Sequence, residues 1–327
     1  MPSRRRSLWS TTTSGTRLSG CCGRVSCWRP ARRRRTTTPA RSPRSSPAAG
    51  RGSDRRPNAA EEAVRVSGYE LRRDGAVVRF VLRRPEVRNA LTPEILRALE
   101  RTAREVGEDR ETRVLVVEAG PGEPFSSGFD FAALRELTGR ESEVDDMLRA
   151  TATALEETPV PVVVAISRYC YGAALELVLA CDLRLAAAGS RFALPIAAIG
   201  RIYPVDGMLR LIRAVGASGA VRLQLAAEPI DVRRALAWGL VHDIAPVNQL
   251  GARVDELVGS LLRSSPNALA EIKRMMRALQ VGMAEDLPRL RVVEDVYRSA
   301  VARLRASGDF DEGVAAFIDK RPPSWAV

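Results

Sequence analysis

Short apolar runs, separated by polar and glycine- or proline-rich breaks, begin near residue 64 and continue along the chain. Residues 68–73 and 77–83 have strand-like patterns and flank an Asp-Gly pair at 74–75, which is typical of a tight turn in a β-hairpin. Thr92 then predicts a helix N-cap, and Pro93 suits the first helical position. One face of this predicted helix is apolar and consists of Ile95, Leu96, Leu99, Ala103 and Val106.

The rest of the chain repeats this alternation of strands and helices. The apolar runs at 113–119 and 162–167 predict buried strands, and a predicted helix to about 157 separates them. The later predicted elements are a helix over 173–181, strands near 182–187 and 191–194, and helices beyond 207. This order predicts an α/β fold with one core domain and a helical C-terminal third. Neither a dinucleotide-binding glycine motif nor a P-loop motif occurs.

Composition separates the first 60 residues from the remainder. Residues 1–60 contain 15 arginines, no lysine and a single acid, Asp54, and carry a charge of +14. Because the whole chain carries +12, residues 61–327 carry −2. Residues 1–60 also contain few aliphatic side chains, which predicts that this extension is disordered. Three interpretations of it stay open: no function of its own, an organellar transit peptide, or an arm that contacts nucleic acid.

The rare residues exclude several classes of site. A single histidine, His242, rules out multi-histidine zinc sites, and only Lys273 and Lys320 could form a Schiff base. Cys170 and Cys181 lie among apolar residues and are predicted to be buried free thiols, which suits a reducing compartment. We therefore expect a cytoplasmic protein, or one of an organelle matrix if residues 1–60 are a transit peptide. No apolar run is long enough for a membrane span.

Two segments have the pattern of a loop that opens a helix. They are FSSGFD at 125–130 and YGAALE at 171–176. The first N–H groups of a helix have no partner within it, so two such starts can direct N–H groups at one carbonyl oxygen. Gly128 and Gly172 would let a ligand approach the backbone closely. Close packing of small residues is the alternative explanation for both segments.

Residues 64–321 resemble the enoyl-CoA hydratase/isomerase (crotonase) family. The resemblance lies in motifs that occur in the family's order, among them RPEVRNALT at 84–92, FSSGFD at 125–130, YGAALELVLACDLRLAA at 171–187, GRIYPVDG at 200–207 and GVAAFIDKRPP at 313–323. It implies a crotonase-like spiral of strand-strand-helix repeats, with a core domain over 64–263 and a helical C-terminal region over 264–327 that forms homotrimers or dimers of trimers. It also implies acyl-CoA substrates and no cofactor besides the coenzyme A of the substrate.

The resemblance implies where the thioester lies. Its oxygen would accept hydrogen bonds from the backbone N–H groups of Phe129 and Ala173, and the family usually has glycine where this chain has Ala173. Ser127, Gly128 and Gly172 would form the adjoining backbone of this oxyanion hole.

A second set of residues is implied to contact coenzyme A. The loop Arg84–Leu91 would lie along it, with Arg88 facing the phosphates and the Ala90 backbone near the adenine. Arg88 could equally be a solvated surface charge. Asp130, which follows the oxyanion residue, is implied to contact the substrate together with Ile196, and is expected to be a helix-start residue rather than a reagent.

Glu176 matches the first of the family's two catalytic glutamates, which holds the attacking water in a hydratase. Its apolar neighbours predict a raised pKa. The second glutamate would fall at Ile196, which has no proton to give. Asp206 and Tyr203 are possible substitutes, although Asp206 could instead cap the helix that begins near it. His242 is expected to have a structural role.

These residues leave three functions open. Hydration of a 2-enoyl-CoA is the default expectation for the family. Because Ile196 replaces the second glutamate, a one-carboxylate variant, which could be an isomerase, a decarboxylase or an enzyme of C–C bond chemistry, stays close behind. The third is an acyl-CoA binding protein without catalytic activity.

Overall fold

The computed structural model describes residues 62–137, 139–282, 298, 301–302, 305–306 and 308–321. The predicted extension, residues 1–60, lies outside the described residues, so its three interpretations stay predictions. The first strand begins at Glu62, two residues before the predicted start of the core domain. The predicted boundary at 263/264 falls between two helices, the first ending at Leu262 and the second beginning at Pro266, and stays a prediction.

The described strands are β1 (Glu62–Val66), β2 (Tyr69–Asp74), β3 (Val77–Leu82), β4 (Val114–Ala119), β5 (Val162–Ile166), β6 (Tyr169–Tyr171), β7 (Leu183–Ala187), β8 (Arg191–Ala193), β9 (Ile230–Asp231) and β10 (Asp243–Ala245). The described helices are α1 (Pro93–Glu108), α2 (Phe131–Glu136), α3 (Glu141–Glu157), α4 (Ala173–Leu179), α5 (Val205–Val221), α6 (Val232–Ala237), α7 (Leu250–Leu262), α8 (Pro266–Gly282) and α9 (Asp309–Ile318).

A large sheet has the strand order β1-β2-β3-β4-β5-β7-β10. Its first three strands form an antiparallel meander, and the strands from β3 to β10 are parallel. The parallel strands are apolar on both faces because helices cover both. Alternate residues therefore enter two separate cores: Leu115 and Val117 face the main one, and Val114 and Val116 face the smaller one together with Val254 of α7.

A small sheet, with the order β6-β8-β9, forms a second layer. After β5 the chain adds β6 to this layer before entering α4, and after β7 it adds β8 before α5. Single bridges continue the layer, since Leu91 pairs with Phe129 and Ser126 pairs with Cys170. These turns are the strand-strand-helix repeats that the sequence predicts.

The region beyond residue 207 is less uniformly helical than the sequence predicts. It contains β9 and β10, and β10 pairs in parallel with β7 at the edge of the large sheet. Strands of two or three residues are too short to produce a periodic pattern, so the sequence could not reveal them. Thr92 and Pro93 begin α1 as predicted, with the Thr92 side chain accepting a hydrogen bond from the Ile95 N–H.

Candidate active site

A cavity of about 380 Å³ lies where the two predicted loop–helix segments meet. Its floor is formed by the 127–129 backbone and the start of α4, and its walls come from α3, the 195–204 segment and α9. Helix α9 reaches it because Gly313 lies against the backbone of Ile199, where a Cβ atom would come within 2.6 Å of the Ile199 Cα. This contact brings Phe317 to the cavity, with its ring stacked on Phe131.

The Phe129 amide is oriented by the strand bridge behind it. The Leu91 N–H donates to the Gly128 carbonyl at 2.8 Å, and the Leu91 carbonyl accepts from the Asp130 N–H at 2.8 Å. Leu91 thus engages the peptide groups on either side of Phe129 and leaves the Phe129 N–H on the opposite face. No acceptor for this N–H occurs among the described residues.

The Ala173 amide lies directly beside this loop. Gly172 turns the chain with a φ of 55° and donates its own N–H to the Ala193 carbonyl at 3.0 Å. Ala173 then begins α4, and its N–H has no acceptor within the described part of the chain. A Cβ atom on Gly128 would lie 2.8 Å from the Tyr171 carbonyl oxygen and 3.5 Å from the Ala173 nitrogen. Only glycine allows this approach. Two unengaged N–H groups therefore border one cavity.

Glu176 follows on the first turn of α4 and is 1% exposed. Its Oε1 lies 3.4 Å from Nη1 of Arg210, and its buried Oε2 has no hydrogen-bond partner in the described structure. Burial raises the pKa of Glu176 to about 7, as the sequence predicts, with Arg210 opposing the rise and the carboxylates of Asp145 and Asp206 adding to it. A carboxyl group with this pKa can accept or give a proton near neutral pH.

Arg210 is the ionic partner of Glu176. Its Nε and Nη2 form a two-pronged ion pair with Glu156, at 2.7 and 3.1 Å, which leaves Nη1 for Glu176. The guanidinium is fixed and buried, with its side chain 9% exposed. It therefore engages Oε1 alone, and Oε2 of the same carboxyl group stays buried without a partner in the described structure.

The residues opposite Glu176 are mostly apolar. Ile196 lines the cavity at the start of a short 3₁₀ segment, Ile196–Ile199, and Ile202 continues the wall. No proton-bearing side chain stands at residue 196. Tyr203, at the end of this wall, has a buried hydroxyl group that makes no hydrogen bond within the described residues.

Residues 72–327 match the family model described as enoyl-CoA hydratase/isomerase. The chain belongs to this family. It is 31% identical to 2,3-dehydroadipyl-CoA hydratase of Escherichia coli (strain K12) over 80% of this chain and 99% of that protein.

Two solved structures of the enoyl-CoA hydratase/isomerase fold are similar to it. An enoyl-CoA hydratase/isomerase from Pseudoalteromonas atlantica T6c is 27% identical, with a TM-score of 0.68 over 79% of this chain and 100% of that one. A methylmalonyl-CoA decarboxylase is 25% identical, with a TM-score of 0.70 over 79% and 97%. The predicted α/β crotonase fold and the predicted family of acyl-CoA thioester enzymes are confirmed.

Eight of the eleven site residues predicted for this family member line the cavity. They are Arg88, Ser127, Gly128, Phe129, Gly172, Ala173, Glu176 and Ile196. Arg88 is exposed and lies at the rim, held by a left-handed backbone with a φ of 57°. Its carbonyl accepts a hydrogen bond from the Ser127 N–H at 3.0 Å. This bond ties the rim to the loop over residues 125–130.

Ala90, Asp130 and Asp206 do not line the cavity. Arg84 joins the first two, because its Nη1 lies 2.8 Å from the Ala90 carbonyl and 2.9 Å from Asp130 Oδ2. Asp130 also caps α2, accepting a hydrogen bond from the Ala132 N–H, so the prediction of a helix-start residue is confirmed. The contact of Ala90 with coenzyme A stays a prediction.

Asp206 is engaged elsewhere. Its Oδ2 pairs with Nε of Arg149 at 2.7 Å, and its side chain is 44% exposed. The geometry therefore gives no support to Asp206 as the second acid of this enoyl-CoA hydratase/isomerase family member. His242 does not line the cavity. Both of its ring nitrogens contact Arg184. Burial, with Arg184 beside it, lowers the pKa of His242 to about 4.

The sequence interpretation missed three charged residues of the site. Asp145 and Arg201 form an ion pair of 2.6 Å within the cavity wall, and Arg210 holds Glu176. A signal for Arg210 was present, because it falls on the buried face of α5 together with Gly207 and Leu211. A charged residue on an apolar helix face requires an ionic partner.

The described residues offer neither a cluster of metal ligands nor a membrane-spanning helix. Among the described residues, no group of three or more His, Cys, Asp or Glu side chains could hold a metal ion. The helices of the described part are all too short or too polar to cross a membrane.

Proposed function

We propose that the protein is a lyase that adds water reversibly to a 2-enoyl-CoA thioester. One observation carries the proposal: two unengaged backbone N–H groups, from Phe129 and Ala173, border the same cavity as Glu176, whose buried Oε2 has no partner in the described structure. An oxyanion site and a base beside it provide the first half of a hydration, which is the attack of water on the β-carbon to form an enolate.

The proposed reaction begins with the thioester oxygen between the two amides. Glu176 removes a proton from a water molecule, and the water oxygen forms a bond to the β-carbon. The electron pair of the double bond moves to the thioester, and the resulting oxyanion is stabilised by the two N–H groups. Because the pKa of Glu176 is about 7, a large fraction of this group is ionised at neutral pH.

Ile196 favours a second candidate reaction. A hydratase of the usual kind uses two carboxyl groups, whereas an isomerase can move one proton between two carbon atoms with a single carboxylate. Since Glu176 faces an apolar wall that contains Ile196, isomerisation of a 3-enoyl-CoA is the alternative. Decarboxylation and C–C bond chemistry are the next candidates, because they also need only the oxyanion hole and one further group.

The remaining features of the proposal concern binding and assembly. Arg88 at the rim is proposed to pair with a phosphate of coenzyme A, and no cofactor beyond the substrate is needed. A homotrimer or dimer of trimers is supported by the apolar side chains exposed on α8, which are Ile272, Met275 and Met276. The cytoplasm, or an organelle matrix if residues 1–60 are a transit peptide, is the proposed location.

The test is turnover of three thioesters by the wild type and by Glu176→Gln. Crotonyl-CoA reports hydration through the loss of its conjugated absorbance, a 3-enoyl-CoA reports isomerisation through the gain of that absorbance, and methylmalonyl-CoA reports decarboxylation. We expect hydration of crotonyl-CoA, and a kcat at least about 100-fold lower in the Glu176→Gln variant because a general base is removed. Glu108→Gln, an exposed residue at the end of α1, is the control.

Each other result has a separate meaning. Turnover of the 3-enoyl-CoA without hydration would favour the isomerase. Binding of butyryl-CoA in calorimetry without turnover of any of the three thioesters would favour a non-catalytic binding protein. Hydration that is unchanged in Glu176→Gln would remove Glu176 from the mechanism.

A further inference from the structure

Tyr203 is a buried group that the proposed hydration has not used. The residue is 2% exposed and lies immediately before α5, at the end of the wall that contains Ile196. Its hydroxyl group makes no hydrogen bond of 3.5 Å or shorter within the described residues, although it lies beside the Glu176 carboxyl group. A buried polar group without a partner destabilises a fold by about 1–3 kcal/mol, so such a group requires an explanation.

The packing around Tyr203 fixes its ring. Gly207, one turn into α5, lies against the ring, where a Cβ atom would come within 2.7 Å of Cζ and 2.8 Å of Cε1. Gly207 has an ordinary helical backbone, so glycine is needed here for space and not for conformation. The missing side chain at residue 207 therefore leaves room for the Tyr203 ring beside the cavity.

The second unpartnered oxygen of this cavity belongs to Glu176. Glu176 and Tyr203 both line the cavity, and Oε2 of Glu176 and the Tyr203 hydroxyl are each buried without a partner in the described structure. Burial raises the pKa of Tyr203 well above its ordinary value, and the nearby Glu176 carboxylate raises it further while Arg210 lowers it. The hydroxyl group is therefore protonated at any pH near neutrality, whereas about half of Glu176 is ionised at pH 7.

We propose that Tyr203 is the second proton-carrying catalytic residue, which delivers to the α-carbon the proton that Ile196 cannot supply. This inference rests on the proposed hydration and completes it. Two adjacent groups, one ionised and one protonated, can perform the base and acid steps that two carboxyl groups perform in a two-glutamate site.

The protons and charges of the proposed cycle balance. Glu176 takes a proton from water, and the hydroxide oxygen bonds to the β-carbon to form the enolate. The enolate carbon takes the hydroxyl proton of Tyr203, which leaves a phenolate. The protonated Glu176 then returns its proton to the phenolate, so both side chains regain their first states and the product is a 3-hydroxyacyl-CoA.

The net charge of the site stays constant through this cycle. The single negative charge moves from Glu176 to the enolate, then to Tyr203, and back to Glu176. Arg210 lies within reach of Glu176 and lowers the pKa of Tyr203, so one fixed guanidinium stabilises the charge at both side chains. A carbon-centred enolate is more basic than a phenolate, so the proton transfer to carbon is favourable.

The test compares Tyr203→Phe with Tyr169→Phe. Tyr169 stacks on Tyr171 and does not line the cavity, so its hydroxyl is the matched control. Crotonyl-CoA hydration measures the whole reaction. Deuterium exchange at the α-carbon of butyryl-CoA in D₂O, followed by mass spectrometry, measures proton transfer to carbon without any hydration.

For Tyr203→Phe we expect kcat for hydration and the exchange rate to fall by at least about 100-fold, as for loss of a general acid. The unfolding temperature should stay equal or rise, because the lost hydroxyl has no partner. Gly207→Ala, which keeps the hydroxyl but crowds the ring, should lower both rates to a smaller extent.

Several outcomes would overturn the proposal. Exchange and hydration within about threefold of wild type in Tyr203→Phe would remove the hydroxyl from the reaction while leaving the hydratase intact. A lowered unfolding temperature with activity that recovers on cooling would make the hydroxyl structural. If wild type neither hydrates crotonyl-CoA nor exchanges butyryl-CoA, the proposed function fails, and the role of Tyr203 fails with it.

Discussion

Glu70 and Glu176 are two buried carboxyl groups with opposite properties. Each residue is 1% exposed, and each has arginine beside it. The pKa of Glu70 is lowered to about 2, whereas that of Glu176 is raised to about 7. Burial alone therefore does not decide whether a carboxyl group in this protein is ionised.

The number and geometry of the hydrogen bonds explain the difference. Glu70 accepts from Nε of Arg72 at 2.7 Å and from Nε of Arg83 at 2.9 Å, one bond to each oxygen. The hydrogen bond from Arg72 is the largest cause of its lowered pKa. Both arginine side chains are about 30% exposed, at 30% and 28%, so their charges stay hydrated. Glu70 is thus covered by solvated cations.

Glu176 has the opposite surroundings. Its one ionic contact is longer, at 3.4 Å, and comes from an arginine that Glu156 already engages with two hydrogen bonds. Its other oxygen is buried without a partner in the described structure, and the residue lines a mostly apolar cavity. The first carboxylate can only stabilise the fold, whereas the second can exchange a proton with a ligand. Three experiments sharpen this comparison.

The largest expected effect follows from Arg210→Met, which leaves Glu156 and Glu176 without their shared cation. Loss of one partner from a buried ion pair destabilises a protein by about 3–5 kcal/mol. The pKa of Glu176 should rise further above 7, because Arg210 is the main influence that opposes its desolvation. Urea denaturation and the pH dependence of kcat measure the two effects.

Arg210→Lys is the matched control for this variant. It keeps the charge but cannot form the two-pronged contact with Glu156, so stability should lie between wild type and Arg210→Met. A midpoint in the pH–rate profile that is identical in all three proteins would show that Arg210 does not control the protonation of Glu176.

The raised pKa of Glu176 predicts opposite pH trends for activity and stability. The folded protein favours the protonated form, so its contribution to stability is fully present below pH 4.5 and is lost as pH rises through about 7. The shift corresponds to about 3 kcal/mol. The kcat for hydration should instead rise through the same range, because the ionised form is the base.

Glu176→Gln isolates this effect. The free energy of unfolding of the variant, relative to wild type, should increase by up to about 3 kcal/mol between pH 4.5 and 8, since glutamine does not titrate. A constant difference across this range would mean that Glu176 has an ordinary pKa in the folded protein.

The sequence allowed prediction of the parts of the site that depend on the backbone. The loops at 125–130 and 171–176 were recognisable from their glycines, and both N–H donors lie where the predicted loop–helix segments imply. Glu176 was predicted from the resemblance to the family, because it matches the first of the family's two catalytic glutamates. The glycine-containing loops are thus recognisable from local sequence, whereas the role of Glu176 rests on the resemblance.

Side chains that reach the site from distant elements could not be predicted in this way. Arg210, Asp145 and Phe317 come from α5, α3 and α9, and their meeting at one cavity depends on how those helices pack. Tyr203 was named only as a possible substitute, because nothing in the sequence shows that Gly207 leaves room for its ring. Asp206 was chosen for its chemistry, and its pairing with Arg149 is a contact between helices.

The smallest expected effect is that of Glu70→Gln, which tests the other half of the comparison. Because Arg72 and Arg83 are hydrated, their pairing with Glu70 should contribute only about 1 kcal/mol. Since the pKa of Glu70 is lowered from 4.5 to about 2, this contribution is present above pH 4.5 and is lost as pH falls toward 2. Urea denaturation at pH 7 and pH 2.5 should thus show a larger difference from wild type at the higher pH. The kcat for crotonyl-CoA should be unchanged, because Glu70 does not line the cavity. A loss of activity in this variant would mean that the paired carboxylate at the sheet, and not only the unpaired one at the cavity, takes part in the reaction.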